Sequence, residues 1–396
     1  MQQEADSQLE KSLVQRAREM VPILAERAPR AERERSIPAE TIADFKQAGF
    51  FRILQPKRFG GYELDPRVFY DVQMTLAEGC MSSGWVFGVL GVHNWQMALF
   101  DLRAQQEVWG KDDSVIVSST YMPKGQVKHV DGGYRFSGRW GFSSGVDHAK
   151  WIFLGGIVPA NEGRGMADYR TFLLPRSDFE VIDNWHVMGL KGTGSKEIVV
   201  KDVFVPEYRT HRMMDAFTNT SPGNKDNPAP LYRLPFAQVF VRAVSSASIG
   251  GLQGALNAFR DYAGKRVSSN DLGRTADDPA AQLAAAEAAL AVQEMKLALF
   301  ASFDSMMATL RRGETLDLQD RIAWRYQSAR VSERCSACVA QLMRSCGGQG
   351  IYVDNPIHRF FLDIHAARNH YANNPDKLAR NFGGVLFGLG SSDFFV

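Results

Sequence analysis

The sequence has little that would direct the protein to a membrane, a nucleic acid or a secretory route. Its 396 residues contain no run of about 18 apolar residues, the length that a membrane-spanning helix needs. Lys and Arg number 46 against 44 Asp and Glu, so the net charge of +2 does not favour nucleic acid. The first twenty residues carry acidic side chains and no apolar signal-peptide core, which predicts a cytoplasmic protein.

Cysteine is scarce, and its spacing does not indicate a metal site or a disulfide. The four cysteines are Cys80, Cys335, Cys338 and Cys346. Cys335 and Cys338 form a C-x-x-C, a spacing found in redox and zinc sites. They lie inside the helical pattern "ARVSERCSACVAQLMRSC", with no second Cys or His pair at ligand spacing. We therefore predict that these side chains pack between helices and that the protein binds no metal.

The usual nucleotide-binding motifs are also missing. No G-x-G-x-x-G follows a strand pattern, and no G-x-x-x-x-G-K-S/T occurs anywhere in the chain. The segment "GRGMAD" (163–168) lacks a flanking strand and helix and is interpreted as a turn. These absences exclude Rossmann and P-loop sites, and they leave the chain without a nicotinamide-binding motif of its own.

What is present falls into separate blocks. Residues 1–113 have apolar positions at helical spacing and predict an N-terminal helical domain. Residues 114–210 consist of short β-branched or aromatic runs between Gly, Asn, Asp and Pro, which predict a β domain. Residues 211–230 are polar and predict a loop or lid, and residues 231–396 return to long helical patterns. Segregated α, β and α blocks predict an α+β fold.

Three motifs occur in a characteristic order along these blocks. They are "GRWGFSSG" (138–145), "MGLKGTGSKEIVVKDVFVP" (188–206) and "GGQGIYVDNPIHRFFLD" (347–363). Their order and spacing resemble the acyl-CoA dehydrogenase family, and the resemblance covers nearly the whole chain. It implies a central β-barrel or sandwich domain, a C-terminal four-helix bundle, a homotetramer and a bound flavin.

The resemblance also implies where the flavin would lie. In that family the "FSSG" segment runs along the flavin ring, which favours Ser144 on the N5 side, Ser143 beside it, and Trp140 and Phe142 as walls. Arg266 matches a family position that reaches the flavin phosphate, often across a subunit boundary. The residues alone leave another interpretation open, in which the serines only cap backbone groups and Arg266 is a solvated cation at a helix end.

One expected residue of a dehydrogenase is missing. Acyl-CoA dehydrogenases use a carboxylate to remove the proton α to the thioester, in many members eight residues after a position that corresponds to Asp363. Here that count falls on Tyr371, preceded by His370, and no acidic residue occupies 364–375. An alternative family position, on the helix that begins near residue 240, has no acid before Asp261. The sequence therefore lacks the base for dehydrogenation.

A histidine at this place resembles the flavin-dependent two-component monooxygenases with the same fold. Those enzymes take reduced flavin from a separate NAD(P)H:flavin reductase and form a flavin C4a-hydroperoxide with O2. An imidazole can hydrogen-bond such a group, whereas a carboxylate would repel it. This implies His370 on the peroxide side, with Arg368 as an electrostatic or substrate partner. Two positions apart on a helix, these side chains diverge by about 200°, so both face the site only if the helix ends there.

His93 is a second candidate, in the apolar segment "GVLGVHNWQ". Taken alone, it is more simply a hydrogen-bonded core histidine. Phenol-hydroxylating members of the resembled group place a histidine on this helix, where it stabilises the substrate phenolate. This implies a catalytic His93 with Ser118 or Ser119 as its partner. The side chains predicted to line an aromatic pocket are Trp85, Phe87, Trp95 and Tyr121.

The sequence thus predicts the oxygenase component of a two-component monooxygenase that hydroxylates a phenolic or other aromatic substrate. Reduced FMN is the expected cofactor, FADH2 is possible, and O2 is the co-substrate. Oxygenation of sulfur, nitrogen or an indole-type ring remains open, as do an acyl-CoA dehydrogenase and a catalytically inactive scaffold.

Overall fold

The computed structural model describes residues 2–159, 168–267, 273–393 and 395–396. Most of the turn interpreted at 163–168 lies outside these ranges. Within them, no helix combines the length and apolar character needed to cross a membrane. The first block is helical, and its elements are α1 (Gln2–Glu34), α2 (Ala39–Gln47), α3 (Pro66–Gly79), α4 (Met81–Met97) and α5 (Leu102–Trp109).

Helix α4 occupies the interior of the molecule. All of its 17 residues are buried, as expected for a helix that is apolar on every side. It packs against α3, against α7 of the C-terminal block and against the first strand of the sheet. Helices α3 and α5 each begin at an aspartate N-cap, Asp65 and Asp101, whose side chains accept backbone N–H groups. Side chains on α4 therefore reach the region where the three blocks meet.

The central block is one mixed sheet of seven strands in the order β5-β6-β2-β1-β3-β4-β7. Strands β1 and β3 are parallel and the other neighbouring pairs are antiparallel. A separate apolar core, which includes Phe136, Trp140 and Phe172, supports this sheet. The strands are β1 (Val117–Val130), β2 (Gly133–Ser143), β3 (Trp151–Val158), β4 (Asp168–Pro175), β5 (Glu180–Ile182), β6 (Lys196–Pro206) and β7 (Thr210–Arg212).

The C-terminal block consists mainly of long helices. Helices α7, α8, α9 and α10 pack on one another. Gly250 allows α7 to approach α3, because a Cβ there would lie 2.0 Å from the carbonyl oxygen of Met74. The predicted α+β class with helical, β and helical parts is confirmed. The helices are α6 (Met213–Thr218), α7 (Phe236–Lys265), α8 (Pro279–Arg311), α9 (Leu318–Ser345), α10 (Pro356–Arg368) and α11 (Asp376–Leu386).

The segment predicted as a loop or lid, residues 211–230, contains the end of β7, helix α6 and short 3-10 turns. It is fastened to the chain that follows α4. The Gly223 N–H donates to the Leu99 carbonyl at 2.9 Å, and the Asn227 side chain donates to the Ala98 carbonyl at 2.8 Å. These two hydrogen bonds to backbone carbonyls hold the segment against the end of the N-terminal helix α4.

A buried carboxyl joins helix α10 to the loop before β6. Asp363 is 2% exposed, and its Oδ1 accepts a hydrogen bond of 2.5 Å from the Leu190 N–H. Leu190 has the left-handed φ of 55°, and its carbonyl accepts the Thr193 hydroxyl at 2.8 Å. Burial raises the pKa of Asp363 to about 7, and the Leu190 hydrogen bond offsets part of this rise. Asp363 thus helps to fix the loop that carries the second sequence motif.

We predict that Asp363→Asn changes the pH dependence of stability. Asparagine keeps the oxygen that accepts the Leu190 N–H but does not ionise. Because the folded pKa of Asp363 lies above its unfolded value of 3.8, the folded protein binds this proton more tightly, and stability is lost as pH rises from about 4 to about 7. Urea unfolding should show the wild type losing roughly 2–4 kcal/mol relative to the variant across this window.

Asp363→Ala is the matched control, since it removes both the charge and the acceptor. It should destabilise the protein by about 1–3 kcal/mol relative to Asp363→Asn at every pH, because the buried Leu190 N–H loses its partner. Parallel pH curves for the wild type and Asp363→Asn would show that Asp363 does not titrate in this range.

Candidate active site

A cluster of buried hydroxyl groups joins the first and second sequence motifs. The Ser144 and Ser195 hydroxyls share a hydrogen bond of 2.7 Å, and Ser195 shares another of 2.7 Å with Thr193. On the other side, Ser118 shares a hydrogen bond of 2.9 Å with Ser143 and donates to the Ser144 carbonyl at 2.9 Å. We call these five residues the hydroxyl cluster. These hydrogen bonds fix the turn that follows β2 and hold the Ser144 hydroxyl at one edge of the cluster.

Phe142 presents an apolar surface next to this cluster. It has a left-handed φ of 68°, a conformation that costs a non-glycine residue about 1–2 kcal/mol and that concentrates at ligand sites. Its side chain is 68% exposed, and its ring meets that of Trp185 edge to face at 5.9 Å. An exposed aromatic face beside ordered hydroxyls fits a planar, polar-edged ring such as a flavin.

Trp140 does not contribute to this surface. Its side chain is fully buried in the core of the sheet, stacks near Phe136, and donates to the Met122 and Gly155 carbonyls at 3.0 Å. The register of β2 against β6 shifts between Trp140 and Ser143, which breaks the alternation that would put residues 140 and 142 on one face. The prediction that Trp140 walls the ring site is therefore wrong.

Trp85 connects the hydroxyl cluster to His370. Its indole N–H donates to the Ser144 hydroxyl at 3.2 Å, and its ring lies 5.8 Å from the imidazole of His370 at 68°. Helix α10 ends at Arg368, and His370 caps the following 3-10 turn, with Nδ1 accepting the Ala372 N–H at 3.2 Å. Side chains from all three blocks thus meet at Ser144, Trp85 and His370.

The electrostatic surroundings of His370 keep it neutral. Burial, and then the nearby cation of Arg325, lower the pKa of His370 to about 4. Arg325 lies on α9 and is 3% exposed. The sequence contains a weak signal for it, since a basic residue occupies the buried stripe of an otherwise amphipathic helix.

Arg368 lies apart from His370. Its side chain is about half exposed and pairs with Glu333 of α9 at 3.8 Å. The helix ends between the two predicted residues, yet they still point to different surroundings. A role for Arg368 beside His370 stays a prediction, and Arg325 is the cation whose charge acts on the His370 pKa.

His93 carries an open hydrogen-bond acceptor. Its Nδ1 donates to the Val117 carbonyl at 2.6 Å, which leaves a lone pair on Nε2. Nε2 is buried and has no partner among the residues that the structure describes. The ring meets Phe153 at 5.5 Å and Tyr121 at 6.2 Å, both edge to face. Burial lowers the pKa of His93 to about 4, so the ring is neutral near pH 7.

Aromatic rings extend from His93 towards His370. Tyr121 lies 5.4 Å from Phe236 and 4.8 Å from Phe240, and its hydroxyl donates to the Gln96 side chain. Phe395 meets Phe236 at 5.9 Å and Tyr371 at 6.4 Å, and Tyr371 meets His370 at 4.9 Å. Tyr371 is 61% exposed and His370 beside it is partly exposed, so this end of the row is open to a ligand. The aromatic row consists of Tyr121, Phe236, Phe240, Phe395 and Tyr371.

The other residues predicted for the pocket divide into neighbours and core. Ser119 lies beside Tyr121, where its hydroxyl partly offsets the rise in the Tyr121 pKa that burial causes. Ser118 belongs to the hydroxyl cluster, and neither serine bonds directly to His93, so their partnership with His93 at a substrate stays a prediction. Trp95 packs behind Phe236 and donates to the Leu231 carbonyl at 2.8 Å. Phe87 lies in the phenylalanine core of the N-terminal helices.

Arg266 stands at the far end of helix α7, beside the third motif. Its guanidinium lies 5.6 Å from the ring of Tyr262, whose hydroxyl donates to the Cys346 carbonyl at 2.7 Å. Gly347, the first residue of "GGQG", is close enough that a Cβ would lie 3.1 Å from Arg266 Nη2. The residue is half-exposed, so its charge is available to an anionic group such as a flavin phosphate.

Comparison with known proteins identifies the family to which this chain belongs. The acyl-CoA dehydrogenase N-terminal domain family matches residues 4–111, and the C-terminal domain family matches residues 243–375. The flavin-dependent monooxygenase oxygenase subunit HsaA of Rhodococcus jostii RHA1 is 40% identical over 97% of this chain and 100% of that protein. The FADH(2)-dependent resorcinol hydroxylase oxygenase component of Rhizobium sp. MTP-10005 is 33% identical over 95% and 94%.

The crystal structure of 3-HSA hydroxylase from Rhodococcus sp. RHA1 superposes with a TM-score of 0.93 at 38% identity, covering 97% of this chain and 99% of that one. These similarities extend along the helical, β and helical blocks alike, and they confirm the resemblance inferred from the three motifs. The chain therefore belongs to the acyl-CoA dehydrogenase family and, within it, to the flavin-dependent monooxygenases.

Proposed function

We propose that this protein is the oxygenase component of a two-component system and hydroxylates a phenolic ring. The observation that carries the proposal is the buried, unpartnered Nε2 of His93 beside the Tyr121 ring. A buried acceptor without a partner costs about 1–3 kcal/mol, and a phenol hydroxyl would remove that cost. An aromatic substrate also matches the aromatic row that extends from this point.

His93 would polarise the bound phenol without becoming a stable cation. Its Nδ1–H is held by the Val117 carbonyl, so Nε2 accepts the phenol proton in a fixed direction. Burial disfavours the imidazolium, so the proton moves to His93 only as the ring gives up electron density during hydroxylation. This keeps the phenol neutral and bound until reaction, and it makes the carbon ortho or para to oxygen more nucleophilic when oxygen is transferred.

The residues that would hold the flavin are those already described. Ser144 would offer a hydroxyl, Phe142 and Trp185 would offer apolar surface, and Arg266 would offer a cation for phosphate. When bound, a reduced flavin supplies the electrons that activate O2 for transfer to carbon. We propose reduced FMN, with FADH2 as the alternative that the name of the resorcinol hydroxylase favours.

The relatives named as oxygenase subunits or components support a separate NAD(P)H:flavin reductase as the partner. The lack of a nicotinamide-binding motif in the sequence is consistent with this. A homotetramer and a cytoplasmic location complete the proposal. The four-helix C-terminal region leaves a row of exposed leucines on α8, at Leu283, Leu290 and Leu297, which is suited to contact with further copies of the chain.

Dehydrogenation of an acyl-CoA fits the site poorly. The carboxyl on helix α10 is Asp363, and it is engaged with the Leu190 N–H on the side of the loop before β6. His370 occupies the position near the hydroxyl cluster and is neutral. Oxygenation of a sulfide would leave His93 Nε2 without a proton to accept, so the open acceptor favours a hydroxylated ring over sulfur.

We predict that His93→Asn lowers kcat/KM for a phenol by about 10²–10³-fold, because the acceptor for its proton is lost. The O-methyl ether of the same phenol, which has no proton to give, should be used as poorly by the wild type as by the variant. Product and hydrogen peroxide are measured together with reduced flavin supplied chemically, so that uncoupled oxidation is counted separately.

His211→Asn is the matched control for this variant. Burial lowers the pKa of His211 to about 3, so it is also neutral, but its tilted ring contacts Phe100 at 5.1 Å and bonds to Ser221, away from the aromatic row. It should keep kcat/KM within about threefold of wild type. Equal losses in the two variants would mean that His93 is only a packing residue, and the phenol proposal would fail.

We also predict that Arg266→Gln weakens anaerobic binding of reduced FMN by about tenfold, which corresponds to about 1.4 kcal/mol. Arg260→Gln, an exposed arginine on the same helix, should leave binding unchanged. Titration with both reduced FMN and FADH2 identifies the cofactor by its lower Kd. Unchanged binding of both flavins by Arg266→Gln would remove Arg266 from the phosphate site.

A further inference from the structure

Arg325 is a buried cation to which the proposed function assigns no role. It is 3% exposed, its Nη1 donates to the Ala372 carbonyl at 3.0 Å, and its Nε has no partner within the described ranges. Asp393, the acid whose charge acts on it, is itself paired with Lys377 at 3.0 Å. Burying a guanidinium costs several kcal/mol, and one carbonyl together with the Phe395 ring, 6.0 Å from the guanidinium carbon, offsets only part of that cost. Such a residue calls for a functional explanation.

A single peptide unit joins Arg325 to His370. The Ala372 N–H donates to His370 Nδ1 at 3.2 Å, while the Ala372 carbonyl accepts from Arg325. The next residue, Asn373, is fully buried and donates to the Val244 and Ala367 carbonyls at 3.0 and 2.9 Å. The turn that carries His370 is therefore held from α9, α7 and α10 at once.

We propose that Arg325 is a positioning residue that, through Ala372, holds His370 as the neutral tautomer with its proton on Nε2. His370 then serves the site as a hydrogen-bond donor and not as an acid. The inference rests on the proposed function only for what accepts that hydrogen bond, because the tautomer is a property of the protein alone.

The tautomer follows from the hydrogen bond to Nδ1. A neutral imidazole has one N–H, and the Ala372 N–H requires a lone pair on Nδ1, so the proton lies on Nε2. The groups that face the ring are Trp85 from α4, Tyr371 from the same turn and Arg325 from α9. None of these three groups is a carboxylate. Among the described residues that face the ring, none therefore offers a negative charge to stabilise the imidazolium, and the Arg325 cation disfavours it.

The two histidines of the site thereby take opposite roles. His93 is held by a carbonyl and offers a lone pair, whereas His370 is held by an N–H and offers a proton. The first suits a phenol hydroxyl, and the second suits an oxygen atom that gains negative charge. A positively charged His370 would donate as well, but it would also release its proton to that atom.

The experiment is magic-angle-spinning NMR of the flavin-free protein labelled with 15N-histidine, titrated from pH 5.5 to 8, with His370→Gln used for assignment. The expected result is a His370 signal pair with Nε2 protonated and Nδ1 bare throughout this range. A proton on Nδ1, or a charged ring at pH 7, would overturn the proposal without any variant of Arg325.

Arg325→Met tests the part played by the cation. It keeps much of the side-chain volume and should raise the His370 pKa by about one unit or more, so that the ring begins to charge near pH 5.5. Arg325→Lys, which keeps the charge, should keep the ring neutral. Arg242→Met is the matched control, since Arg242 is also buried and donates to a single carbonyl, that of Trp324 at 3.0 Å, but bonds to neither His370 nor Ala372.

An equal shift of the His370 pKa in the Arg325→Met and Arg242→Met proteins, or no shift in either, would show that Arg325 does not control His370. These readouts need no substrate or flavin. A failure of the phenol proposal at His93 would therefore leave the NMR result intact, and a failure at Arg325 would leave the kinetics of His93→Asn unchanged.

Discussion

The burial of helix α4 is the constraint on which the candidate site depends. All of its residues are enclosed, between α3, α7 and strand β1, so any polar group on it must find a partner in the protein or in a ligand. Trp85 meets this requirement through Ser144. His93 meets it with one nitrogen only. The helix thus carries its two site residues into the place where sheet and bundle meet, and among the described residues His93 Nε2 is one of three buried side-chain atoms of α4 without a hydrogen-bond partner, with Asn94 Oδ1 and Gln96 Nε2.

The same enclosure controls the charges of the site. Desolvation holds both His93 and His370 neutral, so each contributes only the nitrogen that its backbone partner leaves open. Desolvation also raises the pKa of Asp363 well above that of an ordinary carboxyl. This carboxyl accepts the Leu190 N–H and so helps to fix the loop before β6. For His93 and His370 the hydrogen-bond direction therefore decides which nitrogen is open, because burial disfavours the charged form of both rings.

Much of this arrangement could be predicted from the sequence because local motifs carry it. Ser144 and Phe142 lie in one Gly-flanked turn, and the segregated blocks fixed the fold class. The placement of Trp140 was not predicted correctly because a one-residue shift in strand pairing reverses the side-chain alternation, and Gly141 within the strand is only a weak indication of such a bulge. Arg325 was not predicted because its contact with Ala372 joins residues 47 positions apart. The spacing of apolar residues predicts each helix, but it does not say how two distant helices are oriented against each other.

The distinction between a hydroxylase and a dehydrogenase on this scaffold follows from residues 370 and 371, where the family resemblance places the dehydrogenase base and this chain has His and Tyr, while the carboxyl of α10 points to another loop. A dehydrogenase needs a charged base at the reacting carbon, and a buried carboxylate there must be ionised to act. Here the acid is turned towards the loop that supports the hydroxyl cluster, and a neutral imidazole lies next to that cluster instead. A site of neutral donors and acceptors can orient a phenol and receive negative charge on oxygen, but it has no base strong enough to remove a proton from carbon. The site on this scaffold is therefore suited to placing oxygen next to an aromatic ring and not to removing a proton from carbon.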